Sequence, residues 1–156
     1  MKAKNAISGH SGIVTLEINK KLYELGNLKK FEAKLSIDSS EIKICGSNIV
    51  KHKAGMISGD YSATIEYNMP QLRAAITEYK KTGNFPDVNI IVENDEATSD
   101  VKGQKIKFYN CIPSELLLAL LDAESNELTE DFSGTFDDYE ILKSFKEVKD
   151  VAKKLN

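Results

Sequence analysis

Apolar and polar residues alternate with a period of two in segment after segment of this chain. That period marks strands that bury one face and wet the other. In Phe31-Glu32-Ala33-Lys34-Leu35-Ser36-Ile37 the odd positions are apolar and the even ones polar. The pattern predicts a strand there, a turn at Asp38-Ser39-Ser40, and a second strand over Glu41-Ile42-Lys43-Ile44-Cys45. Gly46-Ser47-Asn48 then breaks it with residues that tolerate positive φ or hydrogen-bond their own backbone. Residues 61–67 alternate again with aromatic and β-branched side chains, a strong strand signal. Gly55 and Gly59 ahead of them predict a bend, a bulge or a flexible loop. Further strands are expected at 12–18, 22–25, 87–93 and 104–111, with a polar, acidic loop over 94–100.

Two segments follow the helical period instead. From Pro70 to Thr82, Leu72, Ala75, Ile76 and Tyr79 share one face, while Arg73, Glu78, Lys80 and Lys81 lie largely off it. Proline at the first turn and Gly83 just past the last one are the expected punctuation. A second helix is expected over 139–155, with Leu142, Phe145, Val148, Ala152 and Leu155 at helical spacing and lysines between them. The run Leu116-Leu117-Leu118-Ala119-Leu120-Leu121 suits a helix by propensity and a buried strand by length, so 116–123 stays open between the two. Residues 126–136 return to an approximate alternation.

With 156 residues the chain fits one domain with a real apolar core. The expected organisation is a single domain over 1–156, with a flexible arm at 1–12 and a C-terminal helix at 139–156. Composition (41% hydrophobic, 29% charged; mean hydropathy −0.34) is that of a globular protein. The leucine run falls far short of the roughly 20 residues a membrane-crossing helix needs. The start, with Lys2 and Lys4, leads into Ser8-Gly9-His10-Ser11-Gly12 rather than an apolar stretch, so neither a secretory leader nor a membrane anchor is expected. Net charge is −3 and the lysines are dispersed, which disfavours tight gripping of nucleic acid.

Candidate chemistry is sparse. His10 and His52 stand alone beside glycine, serine or lysine. Cys45 and Cys111 lie in separate segments that read as strand, without CxxC spacing, and are expected to be reduced, partly buried thiols. No HExxH, EF-hand loop or GxxxxGK is present. The acidic clusters 94–100 and Asp137-Asp138 lack the alternate-residue spacing of a Ca²⁺ loop. No catalytic residue, metal site or cofactor is expected.

Several short motifs, in order, carry a resemblance: Asn5-Ala6-Ile7-Ser8-Gly9, Phe31-Glu32-Ala33, Ser40-Glu41-Ile42, Gly46, His52-Lys53 with Gly55 and Gly59, Tyr79-Lys80-Lys81-Thr82-Gly83, Leu120-Leu121-Asp122, and Thr135-Phe136-Asp137-Asp138-Tyr139-Glu140. In this series the chain resembles the tail tube proteins of contractile-tailed phages, defective prophages and R-type bacteriocins of Gram-positive bacteria. Ser133-Gly134 is a departure, since relatives tend to carry a proline and a bulky residue there.

The resemblance implies a mainly β fold, a β-sandwich or half-barrel with a flanking helix, whose strands join a continuous barrel in a hexameric ring. Rings would stack into a tube with a central channel for DNA passage or membrane puncture. It implies partners as well: further copies of the chain, a tail sheath protein, a baseplate initiator and a tape-measure protein, with DNA only as a non-specific passenger. Assembly would take place in the bacterial host cytoplasm, before the tube joins a virion tail or a released particle. The hairpin from about Lys34 to Lys53 would line the channel, with Lys34, Ser36, Glu41, Lys43 and Cys45 facing the lumen. The N-terminal arm and the 49–59 loop would be ordered by the next ring, which makes Asn5, Ile7, Gly9, His52, Lys53, Gly55 and Gly59 candidate contact residues. Two alternatives remain at this stage: a small intracellular ligand-binding β-barrel, and a tube-like protein of a type VI secretion system.

Overall fold

The computed structural model of the chain describes residues 12–25, 28–66, 70–95 and 103–145. These form nine strands and one helix: β1 (Gly12–Ile18), β2 (Lys21–Glu24), β3 (Leu28–Ile42), β4 (Lys51–Glu66), α1 (Pro70–Thr82), β5 (Val88–Asn94), β6 (Gln104–Tyr109), β7 (Ile112–Glu115), β8 (Thr129–Phe136) and β9 (Asp138–Lys143). They build two antiparallel sheets, one ordered β2-β1-β5-β6-β9 and the other β3-β4-β8-β7. The expected mainly β sandwich with a flanking helix is therefore observed.

The core lies between the sheets and follows the period-two reading. Val14, Leu16 and Ile18 of β1, Val88 and Ile90 of β5 and Phe108 of β6 are buried with Tyr61, Ala63 and Ile65 of β4 and Phe132 and Phe136 of β8. Each large side chain so buried contributes about 1.5–3 kcal/mol. Aromatic rings tie the layers together, with Phe108 4.8 Å from Phe136 and 6.1 Å from Phe31 across the sheets, while within one sheet Tyr61 meets Phe132 edge-on at 5.9 Å. Helix α1 adds Leu72 to this core, with Ala75 and Ile76 packed against it. Gly83, at φ 77°, donates its amide to the Tyr79 carbonyl at 2.8 Å and ends the helix as expected.

Five expectations need correction. Asp38-Ser39-Ser40 is not a turn, because β3 runs straight through it. The apolar positions change from odd (Leu35, Ile37) to even (Ile42, Ile44) across Asp38. A register irregularity lies at the same place, one residue on β3 facing Gly55 and Met56 between the pairs Ile37/Ile57 and Ser39/Ala54. Both faces of the strand are exposed there, so the polar residues cost no burial. The chain reverses later, over 43–50, where Gly46 takes φ 82° and the Ser47 hydroxyl donates to the Ile49 carbonyl at 3.0 Å. Cys45 accordingly sits in this turn, exposed, rather than in a strand.

The flexible-loop alternative for 49–59 fails as well. Residues 51–59 belong to the 16-residue β4, and the bulge alternative is the one that matches the irregularity opposite Gly55. The helix expected from Tyr139 begins instead as β9, which pairs Tyr139 with Phe108 and Ile141 with Ile106. Leu142 and Phe145 fit a helical stripe, but β6 would otherwise expose a row of unpaired backbone groups, and pairing them decides the matter. The rest of that expectation, 146–156, lies outside the described residues, as do the arm at 1–11, His10 and residues 96–100.

Segment 116–123 is neither helix nor strand. Leu116 packs on the core, the Leu117 carbonyl accepts a 2.7 Å hydrogen bond from Arg73 Nε, and Leu118 and Leu121 are exposed. Arg73 also pairs with Glu130 of β8, which is 6% exposed. Strand β7 was not anticipated. It pairs with β8 as the sheet edge, a position where Pro113 removes no needed hydrogen bond.

Candidate functional site

Strands β3 and β4 are the longest elements, and their shared hairpin outruns the sandwich that anchors it. At its root the pairs Phe31/Ala63, Ala33/Tyr61 and Leu35/Gly59 carry the core-facing parity. Alternation puts their neighbours on the other face: Lys30 across from Thr64, Glu32 from Ser62, Lys34 from Asp60 and Ser36 from Ser58. Strand β8 extends these rows with Asp131, Ser133 and Thr135.

This wet face is a mixed carpet of hydroxyls and charges. Thr64 Oγ1 donates to Asp131 at 2.6 Å, and the Lys34 ammonium reaches Glu32 at 2.5 Å while Lys30 approaches it at 3.5 Å. Hydrogen bonding and charge from Lys34 hold the Glu32 carboxyl below the usual carboxylate range, and Glu32 raises Lys34 in return. Both groups are open to solvent, so their pairing organises the surface more than it stabilises the fold. Among the described residues no group of three or more His, Cys, Asp or Glu side chains could hold a metal ion.

The opposite face of the hairpin is apolar and loses its cover where the sandwich ends. Leu35, Ile37 and Ile57 are 44%, 62% and 62% exposed. Beside them an open cleft lined by Leu35, Ile57, Gly59, Phe136 and Tyr139 marks where the hairpin leaves the body. Strand β3 is also a sheet edge along 15 residues. An apolar face next to a long unpaired edge invites pairing with another chain.

Of the candidate lumen residues, Lys34 and Ser36 share the wet face. Glu41 pairs with His52 farther along β3 and has the opposite parity, while Lys43 and Cys45 lie beyond the end of the strand. Of the candidate contact residues, His52 and Lys53 are exposed on β4, across from Glu41 and Ser40. Gly55 lies against Asp38, and Gly59 lies under the Phe136 ring. Asn5, Ile7 and Gly9 lie outside the described residues. Sequence reasoning missed the apolar side of the hairpin, since Leu35 and Ile37 alternate like core residues and no local signal tells where the opposing sheet stops.

Over 146 residues the chain is 28% identical to the uncharacterized protein YqbM of Bacillus subtilis (strain 168), covering 94% of this chain and 97% of that one. Over 141 residues it is 27% identical to the phage-like element PBSX protein XkdM of the same strain, covering 90% and 93%. Its fold is similar to a chain of the anti-feeding prophage baseplate, six-fold symmetrised (TM-score 0.67, 15% identity, 91% of this chain and 97% of that one). It is similar as well to a chain of the PVC sheath-tube complex, from an extracellular contractile injection system in its extended state (TM-score 0.68, 14% identity, 91% and 94%). Residues 1–143 match the family model described as "Phage tail tube protein". The chain belongs to the phage tail tube protein family.

Proposed function

We propose that this chain is the structural subunit of the inner tube of a contractile tail, that six copies close into a ring, and that rings stack into a hollow cylinder. It catalyses no reaction in this reading. The single observation that carries it is the β3–β4 hairpin, with an exposed apolar face at Leu35, Ile37 and Ile57 beside the open edge of β3. A neighbouring copy that pairs with this edge and covers these residues would gain about 1.5–3 kcal/mol for each large side chain fully buried. Each new backbone hydrogen bond would add about 0.5–1.5 kcal/mol. Because the hairpin is presented by one part of the surface and received by another, the contact is head-to-tail and closes only as a ring.

In this arrangement the wet face lines the channel. Lys34 and Ser36 look into the lumen, and Glu41, Lys43 and Cys45 stand toward the hairpin tip at the rim. His52, Lys53, Gly55 and Gly59, with Asn5, Ile7 and Gly9 of the arm, contact neighbouring subunits. A sheath around the tube, a baseplate initiator below it and a tape-measure protein inside it complete the partners. Assembly takes place in the bacterial host cytoplasm, and the product is part of a virion or a headless particle. Similarity to a phage-like element protein, and in fold to a chain of a sheath-tube complex, supports this reading. Negative-stain microscopy of the chain, alone and co-produced with its sheath and baseplate proteins, tests it. Hollow six-fold rings or tubes are expected, and monomers under both conditions would overturn it.

A further inference from the structure

The β3-β4-β8-β7 sheet ends in two different surfaces. At one end is the hairpin tip, beyond the pair Ile42/Lys51. Ile42, Ile44, Ile49 and Val50 are all exposed there. Lys43, Lys51 and Lys53 stand among them against the single acid Glu41, so the tip carries a net charge of +2, three lysines less one glutamate.

At the other end lies the segment that joins β7 to β8. Strand β8 begins at Thr129, which faces Glu66, the last residue of β4. Glu127, just before it, pairs at 2.5 Å with Lys29 near the start of β3. The register therefore puts this segment opposite the tip. Leu121 is 97% exposed and Leu118 is exposed as well. Beside them Asp122 accepts a 3.0 Å hydrogen bond from the Glu124 amide, which holds both carboxylates on one turn. With Glu127 and its partner Lys29 the net charge here is −2, three acids less one lysine. An apolar, acidic surface at one end of the sheet thus matches an apolar, basic surface at the other.

One chain cannot join its own two ends. Strand β3 alone has 15 residues, about 50 Å at 3.4 Å per residue, and it is paired with β4 along its length. The occupant of the leucine segment is therefore the tip of a second copy. Backbone hydrogen bonds at the β3 edge lie perpendicular to the strands and add copies sideways. A contact between tip and leucine segment adds them along the strands instead.

We propose that the hairpin tip of one copy docks on the 118–124 segment of the next, and that this contact stacks one ring on another. The proposal rests on the tube reading and names the pair of surfaces that the stacking uses. Contact between unlike surfaces at opposite ends repeats without closing, as an open-ended stack requires. Burial of the aliphatic side chains supplies the adhesion, and the opposite charges fix which end meets which.

The test uses the exposed native thiol of Cys45 in the tip, since Cys111 is buried. Ala123→Cys adds a thiol beside Leu121, and Ala74→Cys adds one at an exposed position of α1 as a control. Each chain is co-produced with its sheath and baseplate proteins, and the assemblies are treated with a short bis-maleimide. Ala123→Cys is expected to give a covalent ladder of dimers, trimers and longer chains at least about tenfold stronger than Ala74→Cys, because proximity raises the effective concentration. Adding Cys45→Ser is expected to remove that ladder. Independently, Lys51→Glu with Lys53→Glu, both at exposed positions, is expected to leave rings that do not stack, and adding Asp122→Lys with Glu124→Lys to restore tubes. Tubes without the ladder, tubes of normal length from the lysine reversal alone, or no recovery in the fourfold variant would overturn this proposal and leave the tube reading standing. Monomers throughout from the unmodified chain would overturn both.

Discussion

Gly59 of β4 lies directly across from Phe136 of β8, and the Phe136 ring occupies the space that a β-carbon on residue 59 would need. The glycine is there so that an aromatic ring can lie flat on the backbone where the hairpin leaves the sandwich. Gly59→Ala is expected to destabilise the chain by about 1–3 kcal/mol through overpacking. Gly55→Ala, whose new methyl would approach the Asp38 carbonyl at 3.3 Å, costs less. Denaturant midpoints of the two variants check the order, and a neutral Gly59→Ala would contradict the packing role.

Arg73 joins three pieces of chain: helix α1, the irregular segment at Leu117 and strand β8 at Glu130. Replacing it by Met leaves a carboxylate buried without its cation, which is expected to cost about 3–5 kcal/mol. Adding Glu130→Gln to Arg73→Met recovers part of that loss. A double-mutant cycle by urea unfolding measures the coupling, and additive losses would show that the pair does not interact.

The two thiols differ in environment, and their behaviour should follow. Burial pushes Cys111 up from 9.0 to about 12, whereas Cys45 is exposed. One thiol per folded chain is expected to react with an alkylating reagent near about pH 8, and two after unfolding.

The same shift makes a pH prediction. Above about pH 9 the folded chain keeps the Cys111 proton while the unfolded chain loses it, so stability falls as pH rises from there toward 12. Tyr61 is raised as well, chiefly by burial, and adds to the loss at the alkaline end. Unfolding midpoints measured between about pH 8 and about pH 11 should fall less steeply in Cys111→Ala than in the unmodified chain.

Ile37 and Ile57 face each other on the projecting hairpin, each 62% exposed. Ile37→Asp with Ile57→Asp is expected to leave the stability of the isolated chain within about 0.5 kcal/mol, as for other surface changes. The same pair should abolish rings and tubes, because two like charges would be buried at the contact between copies. Normal tubes from this variant would mean that the hairpin face is not an interface.

Local physics is legible in the sequence and global pairing is not. Strand β1, helix α1 and the core face of β8 could be read from alternation, from Pro70 and Gly83, and from Phe132 and Phe136, because each depends on neighbours within a turn or two. Tertiary structure decided the rest. Whether Asp38-Ser39-Ser40 turns or runs on depends on whether β4 is there to pair with it, and whether Tyr139 starts a helix or a strand depends on the open edge of β6. Leu35 and Ile37 look like core residues by pattern, yet they are exposed because the opposing sheet ends before them. Alternation records which side chains avoid water, but only the assembled sheets determine which surface covers them.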